Sequence, residues 1–343
     1  MPSNPSYVPS IFSAYGDRMS FVERFLNTAM SCMLGFMMPQ RIKALEPVFK
    51  SVQPDGPSLM SVIRNTSLMF LNSEPLLDYP RPTVHRVIDI GGIVIPTKIE
   101  PLNEDWSSVL NLRNKTVILS FGTFIKASTM PEQYKKTIRN TLASFPDVTF
   151  IWKYEDPSHN VSDGIENIVE TQWLPQVDML NDPRLSGFIT HAGQGSTLEA
   201  AYAGVPMLLV PTMGDQYRNA AMIKRAGLGE IVYVSALSDG NELENGIRDL
   251  LENQSRINKC KQFSAMLKNR PFSAKEKLVR NMEFLAGYGP LRMLDHEGRN
   301  LNFIQYYLID VILFLCLVAM IVLSLVGLCL TACCKCCWTA KQR

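Results

Sequence analysis

The chain has 343 residues, of which 34 are Lys or Arg and 32 are Asp or Glu, and its formal net charge is +2 at pH 7. This length accommodates two domains with appendages, and the dispersed basic residues exclude nucleic acid as an expected partner. Of the eight cysteines, only Cys32 and Cys260 lie before the last apolar run, so no disulfide framework is expected, and one long-range bridge stays open.

The first part of the chain, residues 1–100, contains a predicted helix and short predicted strands. Residues 1–9 lack a basic stretch followed by an apolar run and predict no signal peptide. Residues 17–38 predict a helix that Pro39 ends. Its apolar residues at helical spacing favour a core helix, and the alternative is a methionine-rich face on a membrane. Strands are predicted at 67–71 and 84–95.

A stretch rich in proline and charge, residues 96–105, predicts a linker, which we place at 101–106. Beyond it, strands are predicted at 116–121, 148–153, 187–191, 206–210 and 230–234, with helices at 131–145 and 216–226 and further helices to about residue 285. Such alternation predicts a parallel sheet covered by helices on both faces. Residues 107–285 are therefore expected to form a complete Rossmann-like domain with its own core.

A glycine-rich turn follows the predicted strand that ends at His191. The turn, Ala192-Gly-Gln-Gly195, precedes a helix that Ser196 or Thr197 is expected to cap. Free backbone N–H groups and the positive end of the helix dipole favour an anion there. Glycines allow the backbone to approach phosphate oxygens. A second turn of this kind is predicted at Gly122-Thr123.

Residues on both sides of this turn have the chemistry of a nucleotide-sugar site. Trp173 can stack on a base, and Gln176 carries a donor and an acceptor for a base or ribose edge. Glu199, expected in the first helical turn, can accept from a ribose diol. Asp215 and Gln216 are expected at a carboxyl-end loop of the sheet, where open α/β folds bind ligands.

The order W-x-x-Q, F-I-T-H-x-G, a helix with Glu, G-V-P and D-Q resembles the signature of the UDP-glycosyltransferases. From Pro5-Ser-Tyr-Val-Pro9 to the terminal apolar run, the chain is most similar to membrane-bound UDP-glucuronosyltransferases. The resemblance implies an α/β, two-domain GT-B-type fold whose second, Rossmann-like domain is complete and whose first is partial. It implies these donor-binding residues: Thr123, Trp173, Gln176, Thr190, His191, Gly193, Gly195, Ser196, Glu199, Asp215 and Gln216.

One departure concerns the turn. Vertebrate members commonly have H-G-G-A-N-G, whereas this chain has His191-Ala-Gly-Gln-Gly-Ser196. In this chain, the backbone or Ser196 is therefore expected to make the phosphate contact that the asparagine makes in those members.

The resemblance implies an inverting, metal-independent transfer of glucuronic acid or glucose from a UDP-sugar to a hydroxyl of a small lipophilic acceptor, without a cofactor. The four histidines are scattered and no Asp-x-Asp pair occurs, so no metal site is expected. The family's catalytic His/Asp pair precedes the segment that matches Pro5, so this chain is expected to lack it. His85 is a poor substitute, because it lies near the predicted interdomain connection.

Three functional readings stay open. The chain is a transferase seen as a truncated form, or a catalytically silent UDP-sugar-binding isoform that associates with full-length transferases as a homo- or hetero-oligomer. The third is a relative of soluble lipid glycosyltransferases with an added anchor.

The last part of the chain predicts a membrane anchor. Residues 311–330 are apolar over the length that a bilayer needs, about 20 residues. We therefore predict a juxtamembrane segment at 286–308, a transmembrane helix at 309–331 and a cytosolic tail at 332–343, because Lys335, Lys341 and Arg343 follow the helix. Lys341 hints at retention in the endoplasmic reticulum. A lumenal body agrees with four glycosylation sequons, at Asn65, Asn114, Asn160 and Asn253.

Overall fold

The computed structural model describes residues 4–96 and 98–341, and side chains up to residue 332. The chain divides into two compact units, with the division between Gly289 and Pro290. The strands of the first unit are β1 (Met69–Leu71), β2 (Val87–Asp89), β3 (Lys115–Ser120), β4 (Val148–Lys153), β5 (Ile168–Thr171), β6 (Leu185–Thr190), β7 (Met207–Leu209) and β8 (Gly229–Ile231). Its helices are α1 (Phe21–Val52), α2 (Leu59–Asn65), α3 (Glu104–Leu110), α4 (Glu132–Ala143), α5 (Gln176–Leu180), α6 (Gln194–Ala203), α7 (Gln216–Ala226), α8 (Asn241–Glu252), α9 (Gln254–Lys268) and α10 (Ala274–Tyr288).

Six strands form one parallel sheet in the order β5-β4-β3-β6-β7-β8. Counted within this sheet alone, the order is 3-2-1-4-5-6, which is that of the doubly wound dinucleotide-binding fold. The order reverses between β3 and β6, whose last residues, Ser120 and Thr190, are register partners. Ligands bind in such folds in the crevice beyond this point. A separate pair, β1 and β2, is also parallel.

The sheet is covered on both faces. Alternate residues of β3 belong to two hydrophobic clusters: Val117 and Leu119 to one, and Ile118 to the other, all fully or almost fully buried. Because successive side chains of a strand point to opposite faces, the two clusters lie on the two sides of the sheet. The predicted α/β fold with a buried parallel sheet is confirmed.

Most predicted elements of this domain are found within a few residues of their expected bounds. The predicted strand 148–153 and the predicted helix 216–226 coincide with β4 and α7. The sequence analysis missed β5, a four-residue edge strand that includes Glu170 and Thr171, because half of it is polar. It also missed α3, which begins within the predicted linker. The predicted domain boundary near residue 100 stays a prediction.

Helix α1 differs from its prediction in length and in packing. Pro39 does not end it, since the helix runs through Pro39 and Pro47 to Val52. A capping box formed by Ser20 and Glu23 fixes its start.

The predicted core role of α1 is wrong. Most of its apolar side chains are exposed, with Phe21 at 76% and Phe36 at 72%. The buried position is Asn27, which accepts from the Ser10 N–H and donates to the carbonyls of Pro5 and Val8. The helix therefore turns a polar side towards the chain and an apolar side outwards.

The second unit contains α11 (Phe303–Tyr306) and α12 (Ile309–Lys341). Within α12, Ile309–Ala332 is long and apolar enough to cross a membrane, by length and composition. Of the predicted cytosolic tail, the side chains of 333–341 and all of 342–343 lie outside the described part of the structure.

Candidate functional site

A cleft of about 570 Å³ lies at the carboxyl ends of β3 and β6. Its walls are the loops after β3, β5 and β6 together with the beginnings of α5 and α6. Most of the residues predicted to bind the donor line it, namely Thr123, Trp173, Gln176, His191, Gly193, Gly195, Ser196 and Glu199. The cleft therefore lies where the strand order of the sheet reverses, as expected for a ligand site of this fold.

Two glycines hold the ring of His191 between them. A Cβ atom on Gly122 would lie 2.6 Å from Cε1 of the imidazole, and one on Gly193 would lie 2.5 Å from Nε2. Both distances are far below van der Waals contact, so any side chain at either position would displace the ring. Gly122 also has a positive φ of 84°, which favours glycine. The two predicted phosphate-facing turns thus meet at His191.

The backbone conformation of Ala192 is part of this turn, and a contact with α7 stabilises it. Its φ is 64°, in the left-handed region that costs a residue with a Cβ about 1 kcal/mol or more. Its carbonyl accepts a hydrogen bond of 3.1 Å from the buried amide of Asn219 in α7. The contact from α7 holds the turn in this conformation.

Helix α6 begins earlier than predicted. It starts at Gln194 with Gly193 as the N-cap, and no side chain caps it, so the predicted capping by Ser196 or Thr197 is wrong. The Thr197 hydroxyl instead donates to the carbonyls of Gly193 and Gln194. The positive end of the helix therefore borders the cleft without a side-chain acceptor, which favours an anionic ligand there.

Trp173 is 68% exposed and lines the cleft. It is therefore free to stack on a planar ligand and does not belong to the core. The ammonium of Lys153 lies 5.8 Å from the centre of its ring. A flat aromatic surface with a cation beside it suits a base that is attached to phosphates.

Gln176 and Glu199 orient one another in the cleft. The Gln176 Nε2 donates to Glu199 Oε2 at 2.6 Å and to Ser196 Oγ at 3.2 Å. Because α6 begins at Gln194, Glu199 lies in its second turn and not in the first, as the sequence analysis expected. Because both residues line the cleft, the amide carbonyl of Gln176 and the second carboxylate oxygen of Glu199 are candidate acceptors for hydroxyl groups of a ligand.

Three predicted donor residues do not line the cleft. Thr190 is fully buried, with its hydroxyl 3.5 Å from His191 Nδ1. Gln216 is buried, and its Oε1 accepts from the N–H and hydroxyl of Thr212 and from the Met213 N–H. Asp215 accepts a hydrogen bond of 2.9 Å from Asn219. Contacts of these three residues to a donor stay predictions.

Sequence reasoning missed Lys153, the last residue of β4. Its side chain is only 9% exposed, and it donates to the Gly122 carbonyl at 2.8 Å and to Glu155 at 3.3 Å. The sequence did contain one indication, because a lysine that ends a mostly apolar strand can extend its charge into a site at that edge of the sheet. Lys153 thus places a cation against the turn at Gly122-Thr123.

His191 is neutral near pH 7. Burial lowers its pKa below the ordinary value of 6.5, and the charge of Lys153 lowers the pKa further. A hydrogen bond with the Ser120 backbone and the carboxylate of Asp215 oppose this shift without reversing it. A neutral imidazole can donate one hydrogen bond to a ligand oxygen without carrying a full charge.

The lowered pKa predicts a pH-dependent loss of stability. Above pH 6.5, His191 is neutral in both the folded and the unfolded chain, and its contribution to stability is complete. As the pH falls below that value, the unfolded chain takes up a proton that the folded chain does not, and the free energy of unfolding decreases. Between pH 7 and pH 5, the melting temperature should therefore fall more steeply for the wild type than for His191→Asn. The exposed His85→Asn should follow the wild type, and parallel curves for His191→Asn would contradict the assignment.

His85 lies in the turn before β2, is exposed and does not line the cleft. Among the described residues there is no group of three or more His, Cys, Asp or Glu that could hold a metal ion.

Comparison with known proteins agrees with this geometry. The family described as UDP-glucoronosyl and UDP-glucosyl transferase matches residues 1–343. The mouse UDP-glucuronosyltransferase 1-2 is 28% identical over 342 residues, which cover 100% of this chain and 63% of the mouse protein. The UDP-glucosyltransferase 2 of Dactylopius coccus is 29% identical over 318 residues, which cover 92% of this chain and 61% of that protein. The chain thus spans about three fifths of the length of these curated relatives.

Among solved structures, the glycotransferase of kitacinnamycin superposes with a TM-score of 0.55 at 15% identity. The superposition covers 75% of this chain and 66% of that one. At this identity the likeness concerns the fold alone, and it agrees with a glycosyltransferase fold of the GT-B type.

Proposed function

This chain belongs to the family of UDP-glucuronosyl and UDP-glucosyl transferases, and on that premise we propose that its cleft is the donor site of a sugar transfer. The donor is UDP-glucuronate or UDP-glucose, and the acceptor is a hydroxyl of a small lipophilic molecule. The reaction is inverting and uses neither a metal nor a cofactor. The observation that carries the proposal is the joint position of Trp173, the uncapped start of α6 and His191 around one cleft.

The three parts of a UDP-sugar match three parts of this cleft. The uracil stacks on Trp173, and the ribose hydroxyls bond to the Gln176–Glu199 pair. The diphosphate lies against the start of α6, between His191 and Lys153. Departure of the diphosphate is then helped by backbone N–H groups, an imidazole N–H and an ammonium, which stabilise the negative charge that develops on the leaving group.

The transferred sugar is assigned to Asp215 and Gln216. Asp215 also holds Asn219, whose amide bonds to Ala192. Asp215→Ala should therefore weaken UDP-sugar binding more than UDP binding, because the sugar loses a direct contact whereas the turn keeps the Asn219 bond to Ala192. Calorimetric titration of both ligands measures the difference. An equal loss for UDP and UDP-glucuronate would limit Asp215 to support of the turn.

The chain supplies the donor half of the reaction. His191 lines the cleft, and we assign it the role of a hydrogen-bond donor to the phosphates. The base that takes the acceptor proton is then not His191 and has to come from outside the residues that line the cleft. The chain by itself should bind the donor without turnover.

The exposed apolar side of α1 favours a second candidate, a catalytically silent donor-binding isoform that associates with full-length transferases. A helix that buries Asn27 and exposes Phe21, Phe25 and Phe36 is suited to a protein partner. Co-purification with a full-length relative that is lost in Phe25→Ser/Phe36→Ser, with the donor affinity unchanged, would support this candidate.

We further propose a single-pass protein of the endoplasmic reticulum with a lumenal, glycosylated body, on the basis of the apolar helix and the predicted sequons. The side chains of Asn65, Asn114 and Asn160 are exposed. Asn253 instead caps α9, accepting from the Arg256 N–H and donating to Asp249.

The sequons provide a test of this orientation. In cells, Asn114→Gln should remove one glycan-dependent gel shift, whereas Asn253→Gln should remove little, because that amide is engaged in the cap. Digestion with peptide N-glycosidase F checks that the shifts are glycans. A chain without any such shift would place the body on the cytosolic side.

A further inference from the structure

A second pocket, of about 540 Å³, lies between α4 and the loop that follows β4. It shares no lining residue with the donor cleft. We propose that this pocket is an anion site that binds the phosphate group of a small molecule, independently of the donor. Its lining residues are Glu132, Lys135, Lys136, Arg139, Tyr154, His159, Asn160, Val161 and Asp163.

Three cations of the pocket lie on one face of α4. Lys135 and Lys136 precede Arg139 by four and three positions, about one helical turn, and all three line the pocket. The acidic side chains of the lining are Glu132 and Asp163. The cations outnumber the carboxylates, so the pocket favours an anion.

The positive charge of Lys135 is only weakly neutralised by its carboxylate partner. Its side chain is 9% exposed and hydrogen-bonds with Tyr154, whereas its ion-pair partner Glu132, at 3.2 Å, is 85% exposed. An exposed carboxylate holds a cation weakly, because water competes for it and its side chain is free to turn away. A nearly buried ammonium gains more from a fixed anion in the pocket than from this carboxylate.

Arg139 has an unused donor. Its Nη2 donates to the backbone carbonyl of Asp163, but its buried Nε–H has no hydrogen-bond partner among the described residues. A buried donor without a partner costs about 1–3 kcal/mol, and a phosphate oxygen relieves that cost. The planar fork of an arginine matches phosphate in geometry and charge.

His159 closes the pocket on the loop side in a fixed orientation. The hydroxyl of the fully buried Tyr154 lies 2.7 Å from His159 Nδ1, and Asp156 lies 3.5 Å from Nε2. The loop that carries His159 is thereby anchored to β4. The volume exceeds that of a phosphate, so the remainder of a small phosphate ester has space beside it.

The test uses inorganic pyrophosphate and the full chain in lipid nanodiscs at constant ionic strength. A variant of the donor cleft, Gly193→Ala, removes the first anion site from the measurement. We expect Gly193→Ala to bind pyrophosphate, and Gly193→Ala/Lys136→Glu to bind it at least about tenfold more weakly. Lys136 is exposed, so its replacement does not threaten folding.

The matched control is Lys115→Glu in the same background. Lys115 is also exposed and lies at the start of β3, and its replacement changes the net charge equally. Binding that survives Lys136→Glu, or an equal loss with Lys115→Glu, overturns the proposal, as does the absence of binding in Gly193→Ala.

Discussion

Gly193→Ala should strongly weaken the binding of UDP and of UDP-sugars while the protein stays folded. The φ of Gly193 is −62°, which any residue adopts, so the substitution imposes no backbone strain. The new methyl group would instead lie 2.5 Å from Nε2 of His191 and would force the imidazole out of its place between the two glycine turns. We expect an affinity lower by about 10- to 150-fold, because a hydrogen bond to a charged group contributes about 1.5–3 kcal/mol.

Calorimetric titration of UDP into the full chain in nanodiscs measures this loss. Gly287→Ala is the matched control, because Gly287 lies in α10 and a Cβ there meets nothing within 4 Å. The control should bind like the wild type. Wild-type affinity in Gly193→Ala would show that the position of His191 between the glycines is irrelevant to the ligand.

Trp173→Ala should weaken UDP, UDP-glucuronate and UDP-glucose by the same factor. Stacking of a base on an aromatic side chain contributes about 1–3 kcal/mol, so the loss is about 5- to 150-fold. Because Trp173 is 68% exposed, the melting temperature should change little. Trp173→Phe should retain most of the affinity, since a smaller ring still stacks. An unchanged affinity in Trp173→Ala would show that the uracil does not stack on this side chain.

Local patterns predicted most of the donor domain and of its cleft. The strands are apolar runs, and the turn at His191 and the W-x-x-Q segment are contiguous in sequence, so their residues are recognisable without long-range information. The parallel order follows from β/α alternation, and the carboxyl ends of the strands then place Thr123, Trp173 and His191 together.

The features that the sequence did not predict depend on contacts between distant segments. Lys153 enters the site through its bond to the Gly122 carbonyl, 31 positions away along the chain. The amphipathic pattern of α1 does not state which face is covered, and the backbone of residues 5–10 takes the polar side through Asn27. Gln216 is occupied by the Thr212 turn, which its place in the D-Q motif did not reveal.

The exposed side of α1 is relevant to both candidate functions. If the chain acts as the donor part of a longer transferase, this side is available to further segments of the same protein. If it acts as a silent isoform, the same side is available to another chain. The two cases differ in turnover, because the first needs a base within the same molecule, whereas the second forms no product at its own donor site.

The assignment of the cleft as a donor site is tested most directly by titration of UDP and UDP-glucuronate into the full chain in nanodiscs. A turnover assay with a phenolic acceptor follows on the same sample. We expect both ligands to bind at one site per chain, with competition between them and with no turnover in the absence of a further chain. Failure of both ligands to bind would contradict the assignment of the cleft as the donor site. Turnover by this chain alone would contradict the division of labour proposed here, and His85→Ala would then be the first variant to assay.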